Sequence, residues 1–275
     1  MRGRHWHDTP WRVTAYELQS KRCILEGLPI HLGMGGTEDN PLIAIQDEVR
    51  THFGWELQAD IDSAKSMKLA FDGNQPFGLS KWNSDERNQA LGDLQIKLLK
   101  ATAVVFVGAA VEPQELEEMV GDGVVFIAAD GAVGALPTQA NLACIVSDFD
   151  GAAHLELAAK NGPTIIVHAH GDNMEAWNEC VETWSHFSNP PALVLSHQTP
   201  HYFEGMHNWG GFTDGDRALC MAHSLGVSFD DVYLVGYTLS RVGQWSGRTQ
   251  ESRKLAKLQW MATVVQMLGL EQQID

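Results

Sequence analysis

Between residues 103 and 235 the chain repeats one pattern. A short run of β-branched and other apolar residues comes first, then a polar turn that in four cases carries acids, then a stretch with helical spacing. Val124 to Ala129 runs into Asp130. Ala143 to Ser147 runs into Asp148 and Asp150. Thr164 to Val167 leads through His168-Ala169-His170-Gly171 to Asp172, and Gly210-Gly211-Phe212-Thr213 leads to Asp214 and Asp216. Apolar runs of this length read as strands buried on both faces of a parallel sheet. Strands alternating with helices imply right-handed crossovers and an α/β architecture. The expected fold is a mainly parallel Rossmann-like sheet flanked by helices. Its strands are expected near 103–108, 124–129, 143–147, 164–168, 192–196 and 232–235, with helices near 113–119, 152–161, 174–185 and 214–225. A last helix is expected over 252–268, where Leu255, Leu258, Ala262, Val265 and Leu268 share a face.

Before residue 100 the pattern is helical and more polar. Helices are expected over 16–25, 41–53, 60–69 (with Asp60 as a cap) and 86–99, with a Gly/Asn/Pro-rich loop over 72–80. The chain is therefore divided into a small, mostly helical N-terminal region, 1–100, and a Rossmann-like catalytic domain, 101–275.

Ligands in such folds bind outside the carboxyl ends of the strands. The acids listed above would thus gather at one edge of one sheet. Crowded carboxylates repel one another unless a cation lies between them, and Mg²⁺ carrying a polyphosphate suits such a place. Within Ala129-Asp130-Gly131-Ala132, Gly131 allows close backbone approach to a ligand, although an Asp-Gly pair also makes a simple turn. Asp148 and Asp150 are two apart, so an extended segment would point both at one cation while Phe149 packs away; an Asp cap explains them as well. His168 and His170 have the spacing of a zinc pair, but no third soft ligand is suitably placed, and a phosphate-contacting role fits better. Asn173 belongs to the same polar segment, in which Asp172 either joins the metal or caps the next helix. Thr213 or Asp214 caps the helix that starts at about 214, and such a helix end offers free N–H groups to a phosphate. Arg217 is the nearest counter-charge. Lys254 sits with Arg253 and Lys257 at the start of the last helix, as phosphate contacts or as a solvated face. Nine tryptophans provide flat surfaces that pack a core or stack on a heterocycle.

The formal charge of −16 opposes binding of a nucleic-acid backbone. No apolar run approaches the ~18 residues of a membrane span, and the four cysteines form no CxxC pair, which suits a reducing cytoplasm. A Walker loop and a GxSxG elbow are both missing.

Taken in order, Ala-Asp-Gly-Ala, Ser-Asp-Phe-Asp-Gly, His-Ala-His-Gly-Asp-Asn and Phe-Thr-Asp-Gly-Asp-Arg-Ala resemble the archaeal 6-hydroxymethyl-7,8-dihydropterin pyrophosphokinases. That family is related in fold to thiamine pyrophosphokinases. The resemblance covers roughly residues 100–270 and extends weakly to Phe53-Gly54-Trp55 and 60–67. It implies a cytoplasmic, Mg²⁺-dependent enzyme that moves diphosphate from ATP to the hydroxymethyl group of a reduced pterin and releases AMP. The pathway implied leads to tetrahydromethanopterin or folate. Carried over by motif, Asp148, Asp150 and Asp214 are the magnesium ligands, with Asp130 and Asp172 beside them. Asp148, Asp150, Asp172 and Asp214 are the expected catalytic set. Gly131, His168, His170, Asn173, Thr213, Asp216 and Lys254 are expected, with Asp130, around the nucleotide. The expected partners are ATP and a small pterin, with no nucleic acid and no membrane; a homo-oligomer is left open. Two segments depart from the pattern of wider relatives. Val107-Gly108-Ala109-Ala110-Val111 replaces a Gly-x-Gly-Pro-Ser type of turn, and Gly236-Tyr237-Thr238-Leu239 lacks an acid beside its strand end. The alternatives are a thiamine pyrophosphokinase, a glycosyltransferase-like relative and a non-catalytic nucleotide-binding module.

Overall fold

Strands form where the apolar runs lie, and those at the centre of the sheet are buried on both sides. The computed structural model describes residues 40–247 and 250–274. The helix expected over 16–25 lies outside the described residues. The six expected strands are β1 (Ala103–Val107), β2 (Val124–Ala129), β3 (Leu142–Ser147), β4 (Thr164–Ala169), β5 (Ala192–His197) and β7 (Val232–Val235). Between the last two, β6 (Met206–His207) adds a two-residue edge strand, too short to carry a readable periodicity. All pairings are parallel, and the order across the sheet is β6-β5-β4-β3-β2-β1-β7. The chain thus crosses the sheet in one direction from β1 to β6 and then returns to the far side of β1. The switch point of this topology lies between β1 and β7, where an open α/β sheet leaves a crevice.

Alternation along the strands sorts the core into two layers. Val104, Phe106, Val125, Ile127, Cys144, Val146, Ile166 and Val194 face one side. They pack with α1 (Pro41–Phe53), α3 (Ser84–Lys100), α7 (Asp214–Ser224) and α8 (Glu251–Met267) through residues such as Ile45, Leu94, Leu219 and Val264. Ile145, Ile165, Val167, Leu193 and Leu195 face the other side, against α2 (Leu57–Ala70), α5 (Ala152–Ala159) and α6 (Met174–Ser185). Near β1 and β2 that side is completed by Val105, Val107 and Phe126 against Leu116 of the short α4 (Pro113–Glu117). Each fully buried side chain of this size contributes about 1.5–3 kcal/mol. No helix among the described residues is long and apolar enough to cross a membrane.

Asp60 does not cap a helix. The second helix starts at Leu57 with Glu56 in the cap position, so Asp60 lies in its first turn, 4% exposed. Its carboxylate accepts from Arg50 Nη1 (2.9 Å), the Gly171 N–H (2.8 Å) and Gln198 Nε2 (3.1 Å). Arg50, from α1, also donates to the Gln198 carbonyl at 2.8 Å. The α1–α2 pair is therefore tied by a buried ion pair to the loops that follow β4 and β5. Removing one member leaves a buried charge without its partner, which typically costs about 3–5 kcal/mol. Arg50→Met is expected to lower the free energy of unfolding by that amount in urea titration. Arg50→Met combined with Asp60→Asn should recover part of the loss, and equal stability of the single variant and the parent would show that the pair holds nothing.

Candidate active site

Asp130 follows β2 in the left-handed region at φ 47°, and Phe149 follows β3 at φ 75°. Side chains other than glycine enter this region at a cost of roughly 1–3 kcal/mol, and such residues cluster at functional sites. The two expected faces of 148–150 are thus produced by a left-handed turn rather than by an extended segment. Phe149 drops into the core against Trp184, with ring centroids 5.6 Å apart. Asp148 and Asp150 are left at the sheet edge. Asp130, Asp148 and Asp150 each place a carboxylate oxygen within 4.8 Å of the others.

The Ser147 hydroxyl donates to Asp130 Oδ1 at 2.6 Å and fixes that carboxylate from below. A Cβ at Gly151 would lie 2.7 Å from the same carboxylate, and one at Gly131 would lie 2.5 Å from the Trp245 carbonyl, so both glycines are needed for close packing around Asp130. Oδ2 of Asp130 and Oδ1 of Asp148 are buried and accept no hydrogen bond. Buried acceptors are normally satisfied. Two orphan carboxylate oxygens in one acidic cluster fit a hard cation such as Mg²⁺, which takes oxygen ligands.

The fourth acid, Asp214, is the first residue of α7 and accepts from Arg217 Nη1 at 3.1 Å. Arg217 is 6% exposed, also lies 3.8 Å from Asp148 Oδ2, and donates from Nη2 to Gln198 Oε1 at 2.8 Å. His170 stands between two acids, with Nε2 3.4 Å from Asp148 Oδ2 and Nδ1 2.7 Å from Asp172 Oδ1. Burial by itself would lower the His170 pKa, but its bonds to Asp148 and Asp172 outweigh that and raise it to about 9. In return, the hydrogen bond from His170 holds Asp172 at about 2. Burial works to raise Asp148 too, yet His170 and Arg217 keep it well below the usual carboxylate range. Asp130 and Asp214 are pushed well above that range, first by burial and then by the neighbouring acids. Crowded carboxylates split in this way when nearby cations neutralise only some of them.

The other expected site residues divide by position. Thr213 and Lys254 line the same cavity as Asp214. Asn173 is a tie between loops. Its amide donates to the His168 carbonyl at 2.7 Å and the Asp148 carbonyl at 3.1 Å, while its oxygen accepts from the His170 N–H at 3.0 Å. His168 lies beneath the surface, 2% exposed, with Nδ1 3.0 Å from Ser196 Oγ. Asp216 is fully buried and accepts from the N–H groups of Phe212 (2.8 Å) and Thr213 (2.6 Å), and from the Thr213 hydroxyl. Its carboxylate shapes the turn before α7, as the third residue of a capping box does. Asp172 caps no helix; Asn173 occupies that position before α6.

Two cavities are lined by different members of the acidic cluster. The first, at the switch point, is lined by Gly108 after β1, Gly236 to Thr238 after β7, and Asp130, Asp150 and Asp214. The N-terminus of α7, Arg241 and Lys254 give it positive potential. The second holds about 330 Å³ and is lined by Asp148, His170, Asp60, Gln198, Trp55 and Lys257, among others. Arg50 and Gln198 carry no local sequence signal for this site; only the contacts to Asp60 reveal them.

No protein-family model matches the chain. Three archaeal proteins named 6-hydroxymethyl-7,8-dihydropterin pyrophosphokinase are similar to it. The protein of Pyrococcus furiosus is 38% identical over 122 residues, 44% of this chain and 48% of its own length. The protein of Methanothermobacter thermautotrophicus is 37% identical over 103 residues, 37% of this chain and 41% of its own length. The protein of Methanocaldococcus jannaschii is 32% identical over 156 residues, 52% of this chain and 61% of its own length. The chain therefore spans between 41% and 61% of the length of the relatives it matches. Over these stretches the chain is similar to archaeal proteins named 6-hydroxymethyl-7,8-dihydropterin pyrophosphokinase.

Proposed function

We propose that this site transfers the terminal diphosphate of ATP to the hydroxymethyl group of 6-hydroxymethyl-7,8-dihydropterin and releases AMP. The observation that carries the reading is the acidic cluster with its two orphan oxygens, lining two cavities at the carboxyl edge of the sheet. The names of the three relatives support the same chemistry.

In the reaction, the alcohol oxygen attacks the β-phosphorus of ATP, the bond from that phosphorus to the oxygen of the α-phosphate breaks, and the alcohol proton is lost. Asp130, Asp148 and Asp150, with Asp214 beside them, would hold Mg²⁺, which supplies charge neutralisation for the acids and the polyphosphate. The remaining work is positioning and electrostatics, as in phosphoryl transfer generally. The free N–H groups at the start of α7 and the ammonium of Lys254 bind phosphate oxygens. Arg217 and His170 are set beside Asp148, on the side of the second cavity, where they hold its carboxylate in place and offset charge on the transferred group. Asp172 keeps His170 oriented. The free thiols of Cys144, Cys180 and Cys220 suit a reducing cytoplasm. The product would feed biosynthesis of a reduced pterin cofactor of the tetrahydromethanopterin or folate type.

The test is product analysis with ATP, Mg²⁺ and either the pterin alcohol or thiamine. AMP should appear only with the pterin; dependence on thiamine would remove this reading. Asp148→Asn is expected to lower turnover by about 100-fold or more with the urea midpoint nearly unchanged, whereas full activity at saturating Mg²⁺ would take Asp148 out of the site. Chelation with EDTA should abolish turnover and added Mg²⁺ restore it; turnover that survives chelation would dismiss the cation.

A further inference from the structure

The acidic cluster lines two cavities of different chemistry. Asp130, Asp150 and Asp214 face the cavity at the switch point, and Asp148 faces the other. A cation held by the cluster would border both cavities, which suits a donor and an acceptor meeting at it. The switch-point cavity has the helix end and the flexible cations that suit a polyphosphate. The second cavity is built differently. One wall is aromatic. Trp55 is half-buried and stacks on Phe53 at 4.6 Å and 15°, with Phe212 5.7 Å away. The opposite side is polar and rigid: Asp60 and Gln198 are 4% and 5% exposed. A carboxylate has about four acceptor positions. Asp60 fills them with Arg50 on Oδ2, the Gly171 N–H on Oδ1 and Gln198 Nε2 on both oxygens, so it braces this wall and offers the ligand no vacant position.

We infer that the 330 Å³ cavity is the acceptor site and takes a neutral, planar heteroaromatic alcohol, with Trp55 as its stacking platform and Asp60 bracing the polar wall. The inference rests on the diphosphokinase reading for its chemistry and adds Trp55 as the residue that holds the acceptor. The volume lies at the small end of the roughly 300–1,000 Å³ typical of small-molecule sites, which fits a single bicyclic ring. Neutrality follows from charge. The guanidinium of Arg253 lies 5.0 Å from the Trp55 ring centre, and Lys257 Nζ lies 5.6 Å from it and 5.5 Å from that of Phe212. Both side chains are flexible and swing aside before a ring stacks on Trp55, and they then border that ring. A thiazolium stacked there would meet like charge, whereas a pterin would not. The hydroxymethyl arm of a ring stacked on Trp55 then reaches toward Asp148 and His170, which line the same cavity.

The test combines kinetics with direct binding, using 6-hydroxymethylpterin and thiamine as probes. Wild-type protein, Trp55→Ala and Trp55→Phe are titrated with each probe without ATP, and pterin fluorescence is followed. Wild type should bind the pterin and not thiamine. Stacking of one base on an aromatic side chain is worth about 1–3 kcal/mol, so Trp55→Ala should weaken pterin binding by about 5- to 150-fold and Trp55→Phe should restore most of it. In steady state, the KM for the pterin should rise in Trp55→Ala while that for ATP stays constant. A wild type that turns over the pterin, with unchanged binding in Trp55→Ala, overturns the cavity assignment and leaves the diphosphokinase reading intact. A wild type that binds the pterin through Trp55 but forms no AMP keeps the assignment and removes that reading. Tighter binding of thiamine than of the pterin overturns the charge argument.

Discussion

The mutual repulsion of buried acids is the constraint on which the rest of the site depends. Asp130 and Asp148 have oxygens within 4.8 Å of each other, and two unit charges at that distance repel by roughly 3 kcal/mol at an effective dielectric of about 20. The surrounding residues answer this cost one by one. Ser147 gives Asp130 a hydrogen bond, Arg217 sits against Asp148 and Asp214, and His170 joins Asp148 to Asp172. These groups leave Asp130 and Asp214 pushed upward in pKa, chiefly through burial, so the compensation is partial. A protein that aimed only at stability would replace such acids with apolar side chains of similar size. Retaining them, with Asp130 and Phe149 in left-handed backbone, is the pattern of a site whose strain serves ligand binding.

What the sequence made legible was local. Strands and helices could be read because the apolar runs at the centre of the sheet are buried on both faces, and the acids could be read because each ends such a run. Asp216 was local in another sense. Its place three residues after Thr213 is the spacing of a capping box, and that ordinary role accounts for its carboxylate. Asp60 misled for the opposite reason. Its position before a helix-like stretch suggested a cap, yet its partners Gly171 and Gln198 lie 111 and 138 residues further along the chain. No pattern within a window of sequence specifies such a partner. Trp55 was visible as one of nine tryptophans and within a weakly matching Phe53-Gly54-Trp55 segment, but its role depends on which cavity α1 and α2 come to border.

The N-terminal helices thus contribute to the site as well as to the core. Ile45 and Val49 of α1 share one apolar cluster with Phe106 and Ile127 of the sheet, and Met67 of α2 shares another with Ile165. The same two helices carry Arg50 and Asp60, and the turn between them carries Trp55. Burying the apolar faces of α1 and α2 therefore brings the aromatic and polar walls to the acidic edge without separate anchoring. The ion pair between Arg50 and Asp60 then fixes the register of that contact, since both side chains must reach the loop that follows β5.

The order of the motifs along the chain has a direct geometric consequence. Strands β1 to β5 lie side by side in sequence order, so residues that follow successive strands also lie side by side. Neighbouring strands are about 4.8 Å apart. Asp130 after β2, Asp148 and Asp150 after β3, His170 and Asp172 after β4, and Gln198 after β5 therefore span three such steps, or about 14 Å. That row begins next to the crevice between β1 and β7 and ends under the aromatic wall. Reading the chain from Gly108 to Gln198 is thus reading the site from one cavity to the other. A set of acids with the same composition but a different order would fold into a sheet with the same edge, yet would not line the two cavities with neighbouring acids.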